Sequence, residues 1–160
     1  MSEAEDLAKI RYEGAAQGTK RIDPNNPLVE DTVGAKGEDE FAVQFNFPRP
    51  ERKAKPYGDG GIDFETEQYV IDVKTSQKEG HLLVKSKDAK ADGHNKPMIY
   101  VRAHYDRATN VTTLQGWEWG SIVVDCPEKD FGKKGVTLIC RYKPTSLLHS
   151  MDELHRLLGR

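Results

Sequence analysis

Residues 60–76 read GGIDFETEQYVIDVKTS, in which two short apolar runs flank a polar turn. With Glu65–Gln68 as the turn, the segment is a hairpin whose side chains alternate between two faces. Phe64 then pairs with Tyr69, and Ile62, Phe64, Ile71 and Val73 share one face. Asp63 falls opposite Val70 on the other face, diagonal to Asp72, and Lys74 follows on that side. Two carboxylates and an ammonium beside the edge of an apolar sheet are costly to dehydrate unless something binds between them. A divalent cation with a phosphate satisfies all three. The plainer alternative is a solvated face on which Asp72 and Lys74 form a surface ion pair. Gly58, Gly60 and Gly61 favour the first, because they let the backbone turn sharply just before Asp63.

Upstream, the spacing from about Thr32 to Asn46 is helical, with Gly34, Gly37, Glu38, Phe41, Ala42 and Phe45 on one stripe. A glycine in a helix interior destabilises it by about 1 kcal/mol, yet lets the backbone approach a sheet closely. Glu38 is thereby carried toward the sheet, unless it snorkels to water from the stripe edge. Ser2–Gln17 is expected to be a helix with Ser2 as N-cap, and Thr19–Asp31 a loop. Residues 1–31 are thus a helical extension to a single domain spanning 1–160.

Downstream, Phe47–Tyr57 is a proline-rich loop carrying Arg49, Arg52, Lys53 and Lys55. His81–Val84 reads as a short strand with lysines around it, and Pro97–His104 and Val111–Trp117 as an antiparallel pair. Trp119–Val124 is a helical turn or short strand, and Val136–Tyr142 a further strand. Ser146–Leu158 closes as an amphipathic helix with Leu147, Met151, Leu154 and Leu158 on one stripe, stopped by Gly159. The class is α/β: one central mixed sheet flanked by helices.

The 160 residues are 36% hydrophobic and 31% charged, a foldable composition with a small core and a well-solvated surface. No apolar run is long enough to span a bilayer, and Met1-Ser2-Glu3-Ala4-Glu5-Asp6 has the wrong charge for a secretory signal, so a cytoplasmic location is expected. Cys126 and Cys140 lack paired spacing and read as reduced structural thiols. The five histidines fall outside zinc spacings. A net charge of -2 does not advertise a nucleic-acid binder, so local charge must carry that case.

Hard cations such as Mg²⁺ or Mn²⁺ take oxygen ligands and keep several waters, so two or three carboxylates suffice. Asp63 and Asp72 would be the principal ligands, the Val73 carbonyl another, and Glu38 a ligand through water or to a second ion. Lys74 would orient or deprotonate the attacking water and offset phosphate charge. The chemistry is phosphodiester hydrolysis.

Gly37-Glu38, Gly60-Gly61-Ile62-Asp63 and Asp72-Val73-Lys74-Thr75-Ser76 together resemble the PD-(D/E)XK nuclease superfamily, which includes Mrr-type restriction endonucleases, archaeal Holliday junction resolvases and small phage nucleases. The likeness covers roughly residues 34–77 and extends more weakly into PMIYV (97–101) and LQGWEW (114–119). Ile62 stands where a proline often precedes the motif aspartate. The resemblance implies a restriction-endonuclease-like core, with Asp63 as first-motif aspartate, Asp72 as second acid, Lys74 as the lysine and Glu38 as the helical glutamate. It further implies a Mg²⁺-dependent DNA nuclease, most simply an endonuclease of DNA processing, repair or recombination in a bacterial or phage-infected cell. A homodimer is one arrangement it allows, because many relatives cut two strands as pairs. Thr75 and Gln77 would touch the scissile strand, unless they are an ordinary strand end. Arg49, Arg52, Lys53, Lys55 and Lys78 would contact phosphates, unless they are solvated charge. Trp117 and Trp119 either stack on bases or divide between core and rim. The competing class is a nuclease fold without catalysis that binds nucleic acid or protein. An RNA-directed nuclease ranks below both, since no RNA-recognition signature is present.

Overall fold

The computed structural model describes residues 27–49 and 61–160, with side chains from Thr32 onward. The expected Ser2–Gln17 helix, most of the Thr19–Asp31 loop, and Arg52, Lys53 and Lys55 lie outside the described residues. Helix α1 runs Pro27–Phe45, so Pro27–Asp31 is helical where a loop was expected. Proline is well suited to a first helical position, since its φ is preset and its missing N–H has no partner there anyway. Asn46, at φ 56, ends the helix in the left-handed conformation. The guanidinium of Arg160 then donates to the carbonyls of Phe45 and Asn46 at 3.2 and 2.7 Å.

The strands are β1 (Phe64–Glu65), β2 (Val70–Ser76), β3 (His81–Lys85), β4 (Asp92–Gly93), β5 (Lys96–Asp106), β6 (Val111–Trp119), β7 (Glu128–Asp130) and β8 (Ile139–Pro144). Helix α2 is Gly120–Val123, a 3₁₀ turn covers Thr145–Leu147, and α3 is Met151–Leu158. The main sheet is mixed: β1 and β2 are antiparallel, β2 and β5 parallel, β5 and β6 antiparallel, with β4 folded against the start of β5. The expected single sheet is instead two. β3 pairs with β8, and β8 with β7, in a separate three-stranded sheet. Leu82 and Val84 are buried against Val70, Met98 and Tyr100, which sends β3 across the face of the main sheet rather than onto its edge.

The first hairpin turns one residue later than the sequence suggests. Thr66 N–H donates to the Tyr69 carbonyl at 2.9 Å, and Thr66 Oγ1 accepts from the amides of Gln68 and Tyr69, closing the turn over 66–69. Phe64 therefore pairs with Ile71, not Tyr69. A shift of two residues leaves Phe64, Ile71 and Val73 on their expected face. Ile62 is the exception: it packs with the cluster on the other side.

Two apolar layers result. Phe41, Ala42 and Phe45 of α1 and Leu154 of α3 cover Ile71, Val73, Ile99, Val101 and Ala103 on one face. The other face carries Val70, Met98 and Tyr100 beneath β3, with Val123 of α2 beside them. Each fully buried large side chain contributes roughly 1.5–3 kcal/mol, so these layers fix which way β2 faces. The expected Ser146–Leu158 helix breaks at Leu148–Ser150, where His149 bridges to Trp117. Ser150 Oγ caps α3 by accepting from Glu153 N–H at 3.2 Å. Leu147, expected on the buried stripe, is 64% exposed. Gly159 does stop the helix, at φ 67. Among the described residues no helix is long and apolar enough to cross a membrane.

Candidate active site

Strand β2 places Asp72 and Lys74 on the face away from α1, since Ile71, Val73 and Thr75 take the helix side. Lys74 Nζ lies 3.0 Å from Asp72 Oδ2. Tyr100 stands beside Asp72 across the parallel register, and Arg102 beside Lys74. Asp72 is buried, whereas the Lys74 side chain keeps 35% exposure. Burial pulls Lys74 toward the neutral form. The Asp72 carboxylate outweighs that pull, with Asp63 and Tyr100 adding to it, and the pKa ends above the usual lysine range.

Asp63 reaches the same place from the hairpin's other arm. Its amide donates to the Ile71 carbonyl at 2.8 Å, and its Oδ2 accepts from Val73 N–H at 2.8 Å. The carboxylate thus continues the pairing of β2 where the backbone of β1 has ended. Gly61 makes the approach possible: at φ +78 it adopts a conformation side chains disfavour, and a Cβ there would lie 3.8 Å from Asp72 Oδ2. Neighbouring groups respond to the same charges. Burial first, then Asp72, push the Tyr100 phenol up, while its oxygen accepts from Lys90 N–H at 3.0 Å. Burial first, with Lys87 and Lys74, pushes Lys85 down.

Glu38 is brought in from the opposite layer. It is 2% exposed, next to Gly37, where α1 lies so close to β2 that an added Cβ would stand 1.8 Å from Thr75 Oγ1. The Asp63 and Asp72 carboxylates thus both act on the Lys74 ammonium, and Glu38 is carried by α1. Among the described residues no three His, Cys, Asp or Glu side chains form a group able to hold a metal ion.

The second-tier residues separate. Thr75 Oγ1 is buried under Gly37, so its hydroxyl faces the helix and not solvent. Gln77 and Lys78 are exposed at the end of β2, their carbonyls accepting from His104 and Arg102. Arg49 is exposed and pairs with Asp39 at 3.7 Å. Trp117 is core and Trp119 half-buried, in edge contact at 5.1 Å between ring centroids. Cys126 and Cys140 are free and buried, and burial pushes both thiols up.

One ionic cluster escaped the sequence reading. Glu118 is 3% exposed, and its carboxylate accepts from Lys143 Nζ at 2.5 Å, lies 2.9 Å from His149 Nε2, and accepts from Trp119 N–H at 3.0 Å. His149 Nδ1 in turn lies 3.3 Å from Glu153. The only linear signal was a charged residue, Glu118, between two tryptophans. Comparison with protein-family models, curated proteins and solved structures returns no match.

Proposed function

We propose that the chain is a metal-dependent DNA nuclease of PD-(D/E)XK type, hydrolysing phosphodiester bonds. The observation that carries this reading is that Asp63 and Asp72, from two arms of one hairpin, converge on the half-buried ammonium of Lys74. The donor set fits a hard cation: Asp63 and Asp72 offer carboxylate oxygens, and such an ion keeps waters in its remaining positions. When bound, Mg²⁺ or Mn²⁺ would polarise the phosphodiester and supply an activated water.

The chain's own contribution is electrostatic. With no metal bound, Asp72 favours the protonated form of Lys74, and as an ammonium it would orient the water and offset the charge that builds on the phosphate. Asp63, fixed by the Val73 amide, positions its carboxylate without a flexible linker. Lys85 lies close enough to Lys74 to feel its charge and adds positive potential.

A second reading also has an observation behind it. Asp72 is already paired with Lys74, and Asp63 with the Val73 amide, as in a site that serves structure alone. That is the arrangement a catalytically silent nucleic-acid- or protein-binding module would keep. Supercoiled plasmid incubated with Mg²⁺ discriminates the two. Cleavage by wild type that is lost in Asp72→Asn supports the nuclease; equal outcomes for both proteins reject it.

A further inference from the structure

The small sheet has an outer face that the proposed reaction does not use. Leu82 and Val84 point inward to the core, so His81 and Leu83 alternate outward, joined by Tyr142, the register partner of Leu83. Three rings meet there. His81 lies 5.5 Å from Tyr142 and 6.3 Å from Phe131, and Phe131 lies 5.6 Å from Tyr142, all half-buried. A buried aromatic cluster would be core; this one stands on the side of the sheet away from the core.

Its rim is cationic. Lys129 Nζ sits 5.6 Å above the Phe131 ring. The exposed Lys78 lies three residues before His81 and the exposed Lys133 two residues after Phe131, and the two are close enough for Lys133 to push the Lys78 pKa down. Two ammonium groups held together repel unless an anion lies between them. The local acids are turned elsewhere: Asp130 Oδ1 accepts from the amides of Gly132 and Leu138, and Glu128 pairs with Arg141 at 3.1 Å.

We propose that this face binds single-stranded DNA, with bases stacked on Tyr142, Phe131 and His81 and a phosphate between Lys78 and Lys133. Aromatic faces accept any unpaired base, whereas in a duplex the base faces are already stacked and unavailable. The choice of DNA rests on the nuclease reading above.

Fluorescein-labelled oligothymidylate and a duplex of equal length, titrated with the full chain in EDTA at low salt, test this. The expected result is single-strand binding at least ten-fold tighter than duplex binding, weakened roughly ten-fold by Tyr142→Leu and again by Lys133→Glu. Lys133 is exposed, so its reversal leaves folding intact and keeps the test decisive if Tyr142→Leu disturbs the sheet. Equal binding of both DNAs, indifference to Lys133→Glu, or preference for oligouridylate overturns the proposal. Binding is read without metal and cleavage with it. Cleavage retained with no single-strand binding removes this surface and leaves the nuclease; binding without cleavage does the reverse.

Discussion

Gly37 lies against Thr75 so closely that a methyl group on residue 37 would stand 1.8 Å from Thr75 Oγ1, 3.0 Å from its Cβ and 3.2 Å from Ala103 Cβ. Helix α1 is set at this distance from β2 by the absence of one side chain. Thr75 is β-branched and buried at its oxygen, so it has little freedom to give way.

Gly37→Ala is therefore expected to destabilise the fold. Overpacking costs about 1–3 kcal/mol, against about 1 kcal/mol gained in helix propensity, leaving a net loss of roughly 1 kcal/mol. Thr75→Ala removes the clashing oxygen, so the double variant should regain part of the loss. Urea unfolding of the four proteins reads the coupling directly. A Gly37→Ala protein as stable as wild type contradicts the packing.

Asp63 allows structure and charge to be separated. Asp63→Asn keeps an oxygen for the Val73 amide and should unfold near the wild-type urea midpoint, while losing cleavage by at least 100-fold. Asp63→Ala leaves that amide without its acceptor and should lose about 1–2 kcal/mol in addition. Unimpaired cleavage by Asp63→Asn would remove Asp63 from the reaction.

The Lys74 titration has a defined sign. Its folded pKa is raised, so its contribution to stability is complete below the ordinary lysine value and fades only as pH climbs through the higher folded one. In the metal-free chain no titration near pH 7–9 should belong to this group. In Asp72→Asn the burial that disfavours the ammonium is left with less opposition, and the pKa should drop. Selective lysine NMR across the alkaline range measures both proteins. A Lys74 signal unmoved by Asp72→Asn would show that the ion pair does not control it.

Lys143→Met tests the Glu118 cluster. Breaking a fully buried ion pair costs about 3–5 kcal/mol. Lys143 keeps 21% exposure, and His149 and the Trp119 amide remain on the carboxylate, so roughly 2 kcal/mol is expected here. The His149 ring lies 4.5 Å from Trp117, so tryptophan emission should shift with the same substitution. An unchanged urea midpoint would mark the cluster as energetically idle.

The local lessons of the chain were legible in one dimension because they depend on near neighbours. Alternation along residues 70–76 fixes that Asp72 and Lys74 share a face whatever the exact turn. For that reason the two-residue error in hairpin register cost nothing at the site. The glycines at 61 and 37 and the Gly159 stop were likewise readable, since each answers a need for a positive φ or a close approach that other residues meet poorly.

Sequence by itself determined the α/β class, the helix with a close-packing face, and the side of β2 from which Asp72 and Lys74 project. Only tertiary structure decided that β3 leaves the main sheet to pair with β8, that Thr75 is sealed under Gly37, that Glu38 approaches from the far layer, and that Glu118, Lys143 and His149 meet. The physical reason is range. Periodicity and backbone preference act within a few residues, whereas these outcomes depend on which apolar faces bury each other across the whole chain.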